Sequence, residues 1–306
     1  MRVFESVAEL VGNTPLLRLK NIEKEYNLSC KIFAKLECFN PASSVKDRAA
    51  LFMIKDLEET GKIKKGGTLI EATSGNTGVG LCAVGVPRGY NVILTMPENM
   101  SVERQLLLKA YGAKIVLTPK DLGMQGAIDK AKEINKTTEN SVIVGQFENE
   151  ANAKAHYQTT APEIYDDLEG NVDVFVAGIG SGGTVTGCAR YFKEKNKDIK
   201  VVGVEPKNSP FLTKGEKGAH GLMGIGAGFK PEILDLSVID EILTVKENDA
   251  YKMGRTLAQK EGILCGISSG AALFCAVEKA KTLENKNVVV LLPDTGERYL
   301  STDMFK

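Results

Sequence analysis

Short apolar runs dominated by Val, Ile and Leu alternate along this chain with stretches of helical periodicity, and no other feature limits the fold as strongly. The runs are GTLIEA (67–72), NVILTMP (91–97), KIVLT (114–118), SVIVG (141–145), VDVFVAG (172–178), KVVGVEP (200–206) and NVVVLLP (287–293). Near-continuous apolar strands of this length belong in parallel sheets buried on both faces. Between them, SVERQLLLKAYGA offers a Ser cap, an acid in the first turn and Gly112 near its end. From Asn248 to Gly262, Ala250, Met253, Leu257 and Ala258 fall on one helical face. The alternation predicts an α/β fold, mostly parallel sheet with helices on both faces. With 306 residues, 43% of them apolar, there is material for two medium domains or one large unit that folds without staples.

No fixed-period repeat or low-complexity tract is present, which removes solenoids and disordered arms. The segment 207–229, KNSPFLTKGEKGAHGLMGIGAGF, lacks periodicity and reads as a long surface loop leading to a site.

Charge and special residues exclude whole function classes. Thirty-nine basic residues balance thirty-nine acidic ones, so no net field draws nucleic acid or an anionic membrane, and a small molecule is the expected partner. The cysteines, Cys30, Cys38, Cys82, Cys188, Cys265 and Cys275, form no CxxC pair and sit in apolar contexts, as reduced thiols of a cytoplasmic protein would. The first residues lack an apolar signal core, and ILCGISSGAALFCAV is too short and too rich in Gly and Ser to span a bilayer. His156 and His220 are the two histidines, and neither a metal cluster nor a GxSxG with a matching triad is present, so no metal is expected.

Three turns have the composition of ligand sites, at the strand ends where open parallel sheets bind ligands. EATSGNTG (71–78) places hydroxyls, an amide and two glycines at a helix start, a nest of donors for a carboxylate or phosphate; a plain turn capped by Thr73 or Ser74 explains it equally well. GIGSGGT (178–184) has four glycines and two hydroxyls, which favours a phosphate held by backbone N–H groups. It also matches G-x-G-x-x-G at Gly178, Gly180 and Gly183, with Glu205 ending the next strand where a ribose-binding acid would stand, so an NAD-dependent oxidoreductase is a competing possibility. In CGISSGAA (265–272), Ser268 and Ser269 are either helix caps or residues facing a cofactor.

The stretch NPASSVKDRAA (40–50) adds an oddity. Asn40-Pro41 breaks the chain, Ser43 or Ser44 can cap a helix, and Lys46 falls in the first turn, where the dipole disfavours a cation. A lysine there is pushed toward its neutral, nucleophilic form. A pyridoxal phosphate enzyme needs such a lysine, together with a glycine-rich phosphate cup and a carboxylate site for an amino acid. A dehydrogenase gives no reason for it.

Taken in order, NPASSVKDRAA, EATSGNTG, LTMPENMSVERQLLLKAYGA, GIGSGGT, GIGAGF, EGILCGISSGAA and LLPDTGERYLST closely resemble the cysteine synthase (O-acetylserine sulfhydrylase) family of fold-type II pyridoxal phosphate enzymes, from about VGNTPLLRL (11–19) to the C-terminus. The resemblance implies two three-layer α/β/α domains of the tryptophan synthase β-like kind with the cofactor in the cleft between them. By the same resemblance residues 1–146 would carry the lysine and the carboxylate loop, 147–306 the phosphate cup, and the first ~35 residues would cross onto the second domain. It implies Lys46 as Schiff-base lysine and general base, with Asn76 on the cofactor's 3-oxygen. Gly180, Ser181, Gly182, Gly183 and Thr184 would hold the phosphate and Ser268 the pyridine nitrogen. Thr73, Ser74, Gly75, Asn76, Thr77, Gln146, Met223 and Gly224 would meet substrate.

The implied reaction is β-elimination and β-replacement on a serine- or cysteine-derived amino acid through an α-aminoacrylate, with O-acetylserine and sulfide giving cysteine and acetate. The family also implies a homodimer and a docking tail of serine acetyltransferase. Two departures stand out. Met223 occupies a position where the family commonly has glutamine, and Gly85 and Pro87 interrupt what is usually an alanine-rich helix. They leave open a relative that consumes cysteine, releases hydrogen sulfide and forms lanthionine or serine. Asp294 in PDTG is a second candidate near the cofactor nitrogen, or a turn residue.

Overall fold

The computed structural model describes residues 3–306. Its strands are β1 (Leu16–Arg18), β2 (Lys31–Leu36), β3 (Thr68–Ala72), β4 (Asn91–Pro97), β5 (Lys114–Thr118), β6 (Ser141–Ile143), β7 (Val174–Gly178), β8 (Lys200–Pro206), β9 (Glu241–Val245) and β10 (Asn287–Leu292). They form two sheets, ordered β5-β4-β3-β6 and β1-β2-β10-β7-β8-β9. The chain divides into two compact units, one combining the stretch ending at Val11 with Asn40–Asn152, the other combining Gly12–Phe39 with Ala153–Lys306.

In the first unit every strand pair is parallel. Period-2 alternation sends Leu69, Val92 and Leu94 to one face, against Met53, Ile54 and Leu57 of helix Lys46–Glu59 and Leu81 of helix Asn76–Gly85. Ile70 and Ile93 go to the other face, where Ala131 of helix Gly123–Thr137 covers them. A sheet buried on both faces needs apolar residues at nearly every position, which is why these strands were legible. The first unit runs through Asn152, and Ala151 is buried in its core.

The second unit is built the same way, with one addition. β2, β10, β7, β8 and β9 run parallel and β1 folds back antiparallel onto β2. Val174, Val176, Val202, Val204, Val288 and Val290 pack with helices Glu247–Glu261 and Ile267–Ala280. On the opposite face Phe175 meets Phe192 of helix Gly183–Lys195, ring centroids 5.3 Å apart.

Three strands were not expected. β2, KIFAKL, carries two lysines, and Lys35 is wholly buried; its ammonium reaches Glu163 at 2.9 Å and the Thr14 carbonyl at 2.5 Å, which makes the burial tolerable. β1 has three residues, and β9 is a half-buried edge strand. Helix Asn76–Gly85 stops two residues before Pro87, as proline's lost N–H requires. Within 207–229, Phe211–Lys214 is a single helical turn. Among the described residues no helix is long and apolar enough to cross a membrane.

Candidate active site

In the first unit the chain after Pro41 turns through Ser43, a non-glycine residue at φ 58°, and enters helix Lys46–Glu59. Asp47 organises the turn: its carboxylate accepts the Ala42 N–H at 2.6 Å and the Ser44 hydroxyl at 3.4 Å. The Ser44 oxygen in turn accepts the Lys46 N–H at 3.3 Å. The N-cap position belongs to Val45 rather than to either serine, so Lys46 is the first helical residue, half-buried. Helix Asn76–Gly85 packs against this turn closely enough that a Cβ on Gly80 would lie 2.9 Å from the Lys46 carbonyl oxygen.

The loop after β3 begins at Thr73, whose N–H bonds to Thr95 of β4 at 3.0 Å and whose hydroxyl oxygen accepts the Gly75 N–H at 3.1 Å. Gly75 is the N-cap and receives no side-chain cap, so neither Thr73 nor Ser74 caps the helix as a plain turn would have them do. Ser74, Gly75 and Asn76 are half-buried and Thr77 is buried. Because β6 pairs with β3, the turn after β6 lies beside this loop, and the Thr77 hydroxyl donates to Gln146 Oε1 at 2.6 Å. The structure thus gathers Thr73, Ser74, Gly75, Asn76, Thr77 and Gln146 at the carboxyl end of β3.

Glu71, which sequence reasoning passed over, stands behind them. It is 4% exposed, and its carboxylate accepts the N–H of Gly145 at 2.8 Å and of Gln146 at 3.4 Å. Burial pushes its pKa up to about 7 against the pull of these donors. The signal in the sequence was an acid inside an otherwise apolar strand.

In the second unit β7 lies between β10 and β8, and its end carries the glycine turn. Gly182 is the N-cap of the 13-residue helix Gly183–Lys195, at φ 86°, in the left-handed region that glycine occupies without strain. Gly180 has a different reason: a Cβ there would overlap the carbonyl of Gly224, which lies well inside van der Waals contact. The two loops are also tied by the Gly226 N–H bond to the Ile179 carbonyl at 2.9 Å. Ser181 and Thr184 are buried hydroxyls at the helix start. Thr184 Oγ1 is 3.2 Å from Nε2 of buried His156, whose Nδ1 is 2.8 Å from Thr160 Oγ1. His156 opens a π-helical turn, His156–Thr160, a distortion often found at functional sites.

Ser268 is 4% exposed, inside helix Ile267–Ala280 whose N-cap is Gly266, so neither it nor Ser269 is a cap. A Cβ on Gly224 would lie 3.4 Å from Ser268 Oγ, which places the glycine cup, Gly224 and Ser268 together. Met223 and Gly224 are exposed. Asp294 is a buried packing residue: it accepts the Tyr299 hydroxyl at 2.6 Å, and its carbonyl accepts the Gly266 N–H, fixing the start of the Ser268 helix. Burial raises the thiols of Cys82 and Cys275 to about 12, and that of Cys265 further, leaving them inert.

The dinucleotide alternative fails on Glu205. Its carboxylate accepts the N–H groups of Leu212 at 2.9 Å and Thr213 at 3.0 Å and the Thr213 hydroxyl, so it orders the next helical turn and is not free for a ribose. What remains suits a phosphate: glycine backbone that a Cβ would obstruct, two buried hydroxyls and the positive end of a long helix.

Comparison with known proteins agrees. The family model for pyridoxal-phosphate dependent enzymes matches residues 7–294, and the chain belongs to that family. It is 49% identical over 305 residues to cysteine synthase B of Campylobacter jejuni, covering 100% of both chains, which sets it among the cysteine synthases. A cysteine synthase from Entamoeba histolytica superposes with a TM-score of 0.96 at 43% identity, covering 99% of this chain and 91% of that one. A hydrogen sulfide-producing enzyme from Fusobacterium nucleatum gives a TM-score of 0.92 at 44% identity, with 97% of this chain and 100% of that one covered.

Proposed function

We propose that this protein is a cysteine synthase, exchanging the acetate of O-acetylserine for sulfide to make cysteine. The observation that carries this is the nest Thr73–Thr77 with Gln146, a carboxylate-sized array of donors, in the same unit as a lysine at a helix start, within a chain that matches a cysteine synthase over its whole length.

Bound pyridoxal phosphate supplies an electron sink that lets Cα give up its proton and the β-substituent depart. Lys46 Nζ would hold the cofactor covalently and, once displaced by the substrate amine, take the Cα proton. Gly180, Ser181, Gly182, Gly183 and Thr184 would bind the phosphate through N–H and hydroxyl donors, and Asn76 the 3-oxygen. Thr73, Ser74, Gly75, Asn76, Thr77 and Gln146 would bind the substrate carboxylate and fix Cα in front of the base. Ser268 would meet the pyridine nitrogen. Its neutral hydroxyl does not enforce a protonated ring, which favours loss of the β-substituent over transamination. Met223 and Gly224 would border the entering nucleophile.

The likeness to the sulfide-producing Fusobacterium enzyme favours a second donor, cysteine, with sulfide leaving and water or a second cysteine adding to give serine or lanthionine. The same residues serve both. We also infer a homodimer in the reducing cytoplasm, in keeping with six cysteines that form no disulfide, and serine acetyltransferase as a docking partner, testable by co-purification.

The test is the visible absorption of the yellow holoprotein mixed with O-acetylserine and, in parallel, with cysteine, followed by product analysis after sulfide addition. A larger response to O-acetylserine, with cysteine formed, supports the synthase; a larger response to cysteine with sulfide released supports the second reading. No response to either would refute both.

A further inference from the structure

The donors proposed to grip the substrate carboxylate do not stand alone. Gln146 sits on a turn with no regular structure of its own, between β6 and the helix beginning at Ala151. What fixes it comes from outside the turn. The Glu71 carboxylate accepts two successive backbone N–H groups, of Gly145 and Gln146, and also bonds the Gln146 side chain. Asn152 Nδ2 donates to the Gln146 carbonyl at 2.8 Å, and Gln146 Oε1 accepts the Thr77 hydroxyl.

The direction of this chain follows from the chemistry of its ends. An ionised carboxylate only accepts, so the Gln146 amide must turn its NH2 to Glu71 and its oxygen to Thr77. Gly145, at φ 73°, lets the backbone present two N–H groups to one carboxylate. Glu148 is the charged neighbour on the turn, and its repulsion adds to the burial that Glu71 tolerates. A buried acid held in this way beside a binding loop suits a functional position better than a packing one.

We propose that Glu71 is a positioning residue for the amino-acid substrate: by holding the Gly145 and Gln146 backbone N–H groups and one N–H of the Gln146 amide, it aims the second amide N–H, with the Thr77 backbone N–H, at the carboxylate. This rests on the assignment of that loop to the substrate carboxylate. Glu71, 4% exposed, would act through these donors and not on the substrate itself.

The test is Glu71→Gln, alone and combined with Gln146→Ala, assayed as holoenzyme with O-acetylserine and sulfide. A glutamine at 71 offers one acceptor oxygen to three donors, so at least one loses its partner and the Gln146 turn shifts. Glu71→Gln is expected to raise KM for O-acetylserine by roughly tenfold or more while kcat stays within about threefold, the signature of lost substrate binding. KM for sulfide and cofactor content should stay near those of the parent. In the Gln146→Ala background the added effect on KM should largely vanish, because both changes act through one side chain. Equal losses of kcat and cofactor content, or KM effects that multiply in the double variant, would overturn the proposal. A parent enzyme inactive with both O-acetylserine and cysteine would instead sink the assigned function, a distinct result.

Discussion

Gly80→Ala isolates one contact on which the placement of Lys46 depends. A Cβ at position 80 would lie 2.9 Å from the Lys46 carbonyl oxygen, 3.1 Å from its carbonyl carbon and 3.2 Å from the Ala50 Cβ. Two of these are backbone atoms and cannot rotate away, so helices Lys46–Glu59 and Asn76–Gly85 must part at the first turn of the former. Overpacking of this kind costs about 1–3 kcal/mol. The gain in helix propensity from glycine to alanine returns about 1 kcal/mol. The net loss is therefore on the order of 1 kcal/mol, a fall in melting temperature of about 2–4 °C or less for a chain of this size. The effect on turnover should be much larger, because displacing a reacting group by a fraction of an ångström to an ångström costs roughly ten- to a hundredfold. Gly85→Ala is the control: its Cβ would meet the tips of Leu69 at 3.0 Å and Ile54 at 3.4 Å, side chains that can give way. Thermal melts and kcat for both variants decide the matter. Full kcat in Gly80→Ala, or an equal loss in Gly85→Ala, would refute the idea that this contact places the lysine.

Lys46→Ala is expected to lower turnover by about 10²–10⁴-fold at saturating cofactor, as loss of a general base does, with a melting temperature near that of the parent; retained turnover would remove Lys46 from the chemistry. Gly180→Ala forces the glycine turn and the Gly224 carbonyl apart, and a strain of about 1–3 kcal/mol should weaken cofactor retention by roughly ten- to a hundredfold, read by titrating apoenzyme. Glu71, raised from 4.5 to about 7, is neutral in the fold at low pH, so its contribution to stability is full below about pH 4.5 and is lost as the pH rises through 7. At about 1.4 kcal/mol per pKa unit that is a decline of about 3 kcal/mol, which urea melts from pH 5 to 8 should show in the parent and not in Glu71→Gln.

The parts of the fold that could be read from the chain are those where burial on both faces leaves a continuous apolar run. β4, β5 and β8 have the bounds that NVILTMP, KIVLT and KVVGVEP suggest. β2 escaped notice because Lys35 looks like a solvent residue until Glu163, far along the chain, is seen to neutralise it. The site was legible where composition carries chemistry: glycines and hydroxyls after β3 and β7, a lysine at a helix start. What brings Gln146 to Thr77 is the pairing of β6 with β3, a long-range contact that no local pattern encodes. Glu71 and His156 act through such contacts too, and a single acid or histidine among apolar residues gave little reason to select them.

The most direct test of the whole assignment is borohydride reduction of the yellow holoenzyme followed by peptide mapping. The expected result is a phosphopyridoxyl group on Lys46, in the peptide containing NPASSVKDR, with O-acetylserine bleaching the linkage before reduction and preventing the label. A label on another lysine, or a protein that takes up no pyridoxal phosphate, would contradict it.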